Sequence, residues 1–409
     1  MKATLVSYGT LGDCAPLVAL GLRLREAGHE VVLVGEGRCH ALADRHGLEF
    51  HTLAGDIVEL LQPGGAHAVT VEVGRVTLRS LDTRWRDDQA WVRTIHQAAA
   101  GSDVVVGLPI ATYHTLSVAA DIGAIPVIGE LQPMAPTRDF KPSSIGKSTR
   151  AGWINRLVGH YIAAVGWATS QSPLNEARRA LGLPRAKEPG PDIRRLGAWS
   201  PTLVPRPNDW PVGATVTGAW RLPSAVWEPS PELSDFIRDG EPPVYVGFGS
   251  MPTFSKMGAL LEALRQGLAG RRVVLGAGAT RDWPEPRSPD VFFAGQVPHE
   301  WLFPRCAAVV HHCGAGTTHA ALLAGTPTIP VPILLDQPFW AERLGRLGVA
   351  TAPIDPRRAD ARAVRAALAA VATMGKRAHD VAQQVQAEDG TGEAVAALEE
   401  LVGSGSGAR

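Results

Sequence analysis

The chain has 409 residues, of which 40 are basic and 40 acidic, so its formal charge at neutral pH is zero. That balance excludes the bulk electrostatic pull that nucleic-acid and anionic-membrane binders rely on. The length exceeds one comfortable core and suits two domains of about 200 residues each.

The elements alternate between short apolar runs and longer amphipathic ones. Residues 3–7 read as a strand, 14–27 as a helix stopped by Gly28, and 31–34 as a second strand, a unit that predicts a parallel sheet. Between strand and helix lies the turn Gly9-Thr10-Leu11-Gly12-Asp13. Strands are expected at 103–106 and 126–128 around a helix at 115–122, and a long helix at 153–169. Two less patterned segments, 55–87 and 131–148, read as loops of the kind that shape a pocket on a rigid scaffold. A proline-rich passage, 201–211, reads as the boundary between domains, giving a first domain over 1–204, a linker over 205–218, a second domain over 219–385 and a terminal helix with flexible tail over 386–409. The second domain predicts strands at 244–248, 273–275, 291–294, 307–311 and 328–333, alternating with helices.

Four cysteines, at 14, 39, 306 and 313, form neither a paired zinc spacing nor a dense disulfide framework, which favours a reducing, cytoplasmic setting. No uninterrupted apolar run approaches the ~20 residues of a membrane span, and the amino terminus lacks a secretory pattern, so stable membrane insertion is not expected.

The stretch 311–340, HHCGAGTTHAALLAGTPTIPVPILLDQPFW, is the richest in chemistry. A buried strand breaks at Cys313-Gly314-Ala315-Gly316 into a helix that starts at Thr317-Thr318. Open N–H groups at a helix start, together with glycines that admit close approach, suit phosphate without a metal. The next strand ends at Asp336-Gln337, where a helix over 338–347 opens. Two such loops on one sheet edge would put whatever the phosphate carries beside Asp336 and Gln337.

With these motifs, and with Val244-Tyr245-Val246-Gly247-Phe248-Gly249-Ser250-Met251, the 295–303 run GQVPHEWLF and the turn at 9–13, the chain resembles the family 1 nucleotide-sugar-dependent glycosyltransferases. That family includes sterol glucosyltransferases and antibiotic-pathway enzymes of bacteria. The resemblance spans nearly the whole chain and implies the α/β GT-B fold, two Rossmann-like domains around a cleft, with acceptor bound mostly by the first and donor mostly by the second. It implies Asp13 as the base that deprotonates the acceptor; His312, Gly314, Gly316, Thr317 and Ser250 at the donor diphosphate; Asp336 and Gln337 at the sugar; and Gln296 and Val297 at the nucleotide base through main-chain groups. It also implies that the final helix crosses back to the first domain. Leu11 departs from the arginine often found there, and Cys313 from a frequent glycine.

Each assignment has a plainer rival. Asp13 and Asp336 both suit helix starts. His311 reads as a satisfied core residue and Trp301 as core. A zinc site at 311–313 fails because consecutive strand residues point to opposite faces. The sequence has no Asp-x-Asp pair, P-loop or Gly-x-Ser-x-Gly elbow. The expected partners are a nucleotide sugar (UDP- or TDP-linked) as co-substrate and a small apolar acceptor, with no metal or other cofactor and a monomer or homodimer. The alternatives are a nucleotide-sugar epimerase of the same fold and a non-catalytic ligand-binding partner.

Overall fold

A computed structural model describes residues 1–55, 71–72, 75–76, 87–145, 148–190, 192–222, 227–249, 256–279, 283–284 and 288–406. Most of the first expected pocket loop lies outside these residues, as do Ser250 and Met251.

The chain runs β1 (Lys2–Ser7), α1 (Leu11–Glu26), β2 (Glu30–Glu36), α2 (His40–Arg45) and β3 (Glu49–Leu53), followed by a short antiparallel pair, β4 (Val71–Glu72) and β5 (Arg75–Val76). It continues through α3 (Asp88–Ala98), β6 (Val104–Gly107), α4 (Thr112–Ile122), β7 (Ile125–Glu130), α5 (Gly152–Ala180), β8 (Arg194–Gly197) and β9 (Ala214–Val216). These strands form a seven-stranded sheet in the order β3-β2-β1-β6-β7-β8-β9, parallel at each pairing. β1 is buried on both faces, which is why it reads as an uninterrupted apolar run. Ala3 and Leu5 pack with α1, while Val6 packs with Trp91, Val92 and Ile95 of α3.

The second half adds α6 (Pro231–Arg238), β10 (Val244–Gly247), α7 (Met257–Gly267), β11 (Val273–Gly276), β12 (Val291–Gly295), α8 (His299–Leu302), β13 (Ala308–His311), α9 (Ala315–Ala324), β14 (Thr328–Pro330), α10 (Gln337–Leu347), α11 (Ala361–Val371), α12 (Gly375–Gln386) and α13 (Gly390–Ser406). Its parallel sheet has the order β12-β11-β10-β13-β14. α7 and α11 cover one face through Leu260, Leu264, Val364 and Val371; α8 and α9 cover the other through Leu302 and Ala321. α13 returns to the first domain, where Ala394, Val395 and Leu398 join the core beside α1 and Glu399 meets His29.

Each sheet reverses its winding once, between β1 and β6 in the first and between β10 and β13 in the second. Reversal leaves a crevice at the carboxyl ends of the flanking strands, because their connections leave toward opposite sides. The turn at Asp13 follows β1, and the loops at Gly249 and His312 follow β10 and β13.

Several expectations are corrected. The proline-rich passage lies inside the first sheet, between β8 and β9, and the chain leaves that sheet only after Val216. It does not behave as a free linker, because Trp199, Leu203, Val204 and Trp210 are buried against Phe339, Trp340 and Leu344 of the second domain. Phe140, from the second expected pocket loop, is buried in the same seam, and Asp209 accepts hydrogen bonds from the Thr137 hydroxyl (2.6 Å) and Arg138 N–H (2.9 Å). β14 stops at Pro330 because Pro330 and Pro332 have no N–H to offer a ladder, although Val331 and Ile333 remain buried. The helix expected to end near residue 402 runs to Ser406. α5 extends eleven residues past its expected end at 169, carrying Pro173 within it. Cys14 and Cys39 are joined as a disulfide with Cα atoms 5.6 Å apart, a pairing that spacing alone does not reveal.

α5 is tied to α4 by a buried ion pair. Arg178 donates to both oxygens of Asp121 (2.8 and 2.7 Å) and to the Pro184 carbonyl (2.7 Å). Arg178→Leu would strand Asp121 without its cation, and denaturant unfolding should show a loss of about 3–5 kcal/mol.

Candidate active site

Thr10 is the N-cap of α1, its hydroxyl accepting from Gly12 N–H at 3.2 Å. Asp13, at the third helical position, reaches back so that Oδ2 accepts from Thr10 N–H (2.8 Å) and from the Thr10 hydroxyl (3.1 Å). This is a reciprocal capping box. Capping and proton transfer are therefore not rivals at this residue: Oδ2 holds the turn, while Oδ1 has no hydrogen bond among the described residues. Gly9 makes the arrangement possible, since a Cβ there would overlap the Asp13 carboxylate. Burial raises the Asp13 pKa against the opposing effect of the Thr10 bonds.

His312 ends the strand-to-turn passage after β13, with its ring between two glycine turns. Gly249, at φ +59°, lies against Cε1, and a Cβ on Gly314 would collide with Nε2. Nδ1 finds no hydrogen-bond partner among the described residues, although the Gly247 backbone lies near enough to favour the protonated ring slightly. Burial is the larger effect and brings the pKa down to about 4, helped by His299. The site thus holds a neutral imidazole that an arriving anion would favour in its charged form. His311 is fully buried, as expected of a core residue, and its Nδ1 accepts from Cys313 N–H at 3.1 Å, but its Nε2 has no hydrogen-bond partner among the described residues, so it is not the satisfied histidine expected. Cys313 itself is buried with φ +64°, a left-handed conformation that explains why glycine suits the position.

α9 begins at Ala315, two residues earlier than the sequence suggests, with Gly314 in the cap position and no side-chain cap. The N–H groups of Ala315, Gly316 and Thr317 therefore head the helix without intrahelical partners. A Cβ on Gly316 would meet only open space. Thr317 is half-buried beside it, whereas Thr318 turns fully inward.

Asp336 precedes α10 but does not cap it with its side chain. Its Oδ2 instead accepts from Trp340 Nε1 at 2.5 Å. Burial is the main cause that raises its pKa to about 6; the Trp340 bond opposes the rise, and the charge of Asp13 adds to it. The charge of Asp13, on the first domain, is thus felt at Asp336 on the second. Gln337 is buried, and its Oε1 accepts from Ile333 N–H (2.7 Å) and Leu334 N–H (3.0 Å), so this amide oxygen builds the loop. Gln296 is exposed just after Gly295 (φ +64°), and Val297 packs partly into the core beside Leu302. Trp301 is half-buried, with Trp227 at its edge and Arg305 over its ring.

Two supporting residues are not evident from the motifs. Trp340 orients Asp336 from one helical turn away, a spacing visible in the sequence but meaningless until the indole direction is known. Gly9 is noticeable only as the first glycine of the turn. Ser250 lies outside the described residues.

Asp336→Asn should keep the Trp340 bond while removing the titration. Between the ordinary value of 3.8 and about 6 the folded wild type holds a proton that the unfolded chain has lost, so wild-type stability falls as pH rises through that window. The variant should lack this component, roughly 3 kcal/mol, in unfolding curves compared at pH 4 and pH 7.

Comparisons with known proteins identify the family. Residues 3–96 match the model of the glycosyltransferase family 28 N-terminal domain, and residues 279–401 that of the erythromycin biosynthesis protein CIII-like C-terminal domain. The chain is 34% identical to the O-mycaminosyltylonolide 6-deoxyallosyltransferase of Streptomyces fradiae, over 98% of this chain and 97% of that one. It is 32% identical to a sterol 3-beta-glucosyltransferase of Arabidopsis thaliana, over 87% of this chain and 58% of the longer plant protein. The fold is similar to that of a glycosyltransferase from Streptomyces sp. SF2575 complexed with thymidine diphosphate, with a TM-score of 0.59, 20% identity and coverage of 98% and 99%.

Proposed function

Because the chain belongs to the GT-B glycosyltransferases that include antibiotic and sterol glycosyltransferases, we propose that it is an inverting, metal-independent enzyme. It moves a hexose or deoxyhexose from a UDP- or TDP-sugar to a hydroxyl of a small, fairly apolar acceptor. The observation that carries this reading is Asp13, held by its capping box at the reversal point of the first sheet with Oδ1 free of hydrogen bonds among the described residues.

In this scheme Asp13 takes the proton of the acceptor hydroxyl while that oxygen attacks the anomeric carbon. The bond from the carbon to the diphosphate oxygen breaks on the opposite face, so configuration inverts. The departing diphosphate meets the open N–H groups of Ala315, Gly316 and Thr317, with His312 alongside, and the positive end of α9 offsets its charge; Ser250 is assigned to the same group by the family resemblance alone. Asp336 and Gln337 hold the sugar; the main chain at Gln296 and Val297 holds the base. Charge neutralisation assigned to a helix end and an imidazole leaves no step that requires a metal.

Exposed apolar side chains support an apolar acceptor. Leu11 (54% exposed) opens α1 two residues before Asp13, Leu335 (47%) directly precedes Asp336, and Ile110 (38%) follows β6. The names of the relatives, an O-mycaminosyltylonolide 6-deoxyallosyltransferase and a sterol 3-beta-glucosyltransferase, favour the same class. Thymidine diphosphate on the structural neighbour favours a TDP-deoxysugar donor over UDP-glucose. No helix among the described residues is long and apolar enough to cross a membrane, and the reading includes a cytoplasmic enzyme acting as monomer or homodimer.

Asp13→Asn can still accept from Thr10, so it should fold normally and lose about 10³-fold in kcat/KM; an active variant would refute the base. For the donor, thermal shifts against UDP, TDP, GDP and their sugars should single out TDP or UDP and persist in EDTA. No shift with any nucleotide would move weight to a ligand-binding partner, and sugar isomerised without acceptor would point to an epimerase.

A further inference from the structure

His319 stands one turn into α9, and both of its ring nitrogens are committed. Nδ1 lies 2.7 Å from the Ala315 carbonyl oxygen, which only accepts, so Nδ1 carries the proton. Nε2 lies 3.1 Å from the backbone N–H of Ser200, which only donates, so Nε2 offers its lone pair. The partners therefore fix a single neutral tautomer. Burial, by lowering the imidazole pKa, favours that same neutral state.

The two partners belong to different parts of the machinery. Ala315 opens α9 at the glycine turn assigned to the diphosphate, while Ser200 belongs to the first domain, three residues past β8. Ser200 is held from behind, because its hydroxyl (2.7 Å) and that of Thr202 (2.8 Å) both donate to Glu388 Oε1, where the chain crosses back toward α13. The edge of the imidazole also meets Trp340, with ring centroids 5.5 Å apart, and Trp340 is the indole that holds Asp336. One side chain thus touches the diphosphate turn, the support of the sugar carboxylate and the opposite domain.

We propose that His319 is a positioning residue that links the donor turn to the interdomain seam and so keeps the donor's anomeric carbon in register with Asp13. The proposal rests on the glycosyltransferase reading above. Every group assigned to the donor lies on the second domain and the base lies on the first, so breaking the link costs turnover more than donor binding.

Two substitutions separate the bonds. His319→Asn keeps a donor near the Nδ1 position but is too short to reach Ser200; His319→Gln can present an amide oxygen to Ser200 N–H but gives up Ala315. In the full-length protein, His319→Asn should lower kcat about tenfold or more with the Kd for UDP or TDP, measured by calorimetry, within about twofold of wild type, and His319→Gln should recover most of the turnover. Hydrogen exchange at the Ser200 amide should speed up in the Asn variant and not in the Gln variant. Wild-type turnover in His319→Asn, unchanged Ser200 exchange, or parallel loss of nucleotide binding and Tm in both variants would overturn the proposal, the last marking a merely structural residue. If the wild type neither binds these nucleotides nor turns over, the transferase reading fails instead, and Ser200 exchange still decides whether the link exists.

Discussion

The seam between the 199–214 passage and α10 is the contact on which the rest of the molecule depends. Phe140, Trp199 and Trp210 from the first domain meet Phe339 and Trp340 from the second, with Phe140 and Phe339 at 5.4 Å in an edge-to-face arrangement. Aromatic pairs of this kind contribute about 0.5–1.5 kcal/mol beyond the area they bury. Prolines before Trp210 and after it restrict the segment in advance, so less chain entropy is lost in holding it against the second domain. Trp340 belongs to both the seam and the site, for its ring is buried among the seam residues while its N–H holds Asp336. Packing that joins the domains also aims a carboxylate into the cleft.

The two sheets differ in what their reversal points offer. The first offers a turn in which one carboxylate oxygen is spent on the helix cap and the other is not; the second offers a helix start without a side-chain cap and an imidazole wedged between glycines. Burial works on both sides in the same direction, disfavouring charge on Asp13, Asp336 and His312 alike. His312, neutral because it is desolvated, responds strongly to an anionic ligand, because the low local polarity that suppresses its charge also strengthens its pairing. His319 extends the logic to the seam itself, where one imidazole joins the donor turn to Ser200.

Much of this was legible before any coordinates. The β1–α1–β2 unit, the five strands of the second half and the glycine turn at 313–316 are local patterns, and they fall within a few residues of the observed elements. His311 as core was read from the sequence, whereas the role of His312 came only from the family resemblance. Other features were hidden for physical reasons. The 201–211 passage has the composition of a linker, yet its tryptophans find an apolar partner surface only when the second domain is present. The run at 328–333 is apolar throughout, but two prolines end its pairing at residue 330 without ending its burial. Gln337 has the residue type of a sugar ligand, and only the loop path reveals that its oxygen is committed to Ile333 and Leu334. Cys14 and Cys39 are 25 residues apart in the chain, and meet because α1 and the turn after β2 lie on the same side of adjacent parallel strands.

The sequence by itself determined the order of strands and helices and the glycine-dependent turns, because each depends on a few consecutive side chains and their backbone preferences. Only the tertiary structure decided which atoms the site residues have left to offer. The Asp13 cap and the indole grip on Asp336 are local bonds whose side-chain directions no pattern encodes, and the bridge from His319 to Ser200 depends on how the two domains pack, a long-range outcome.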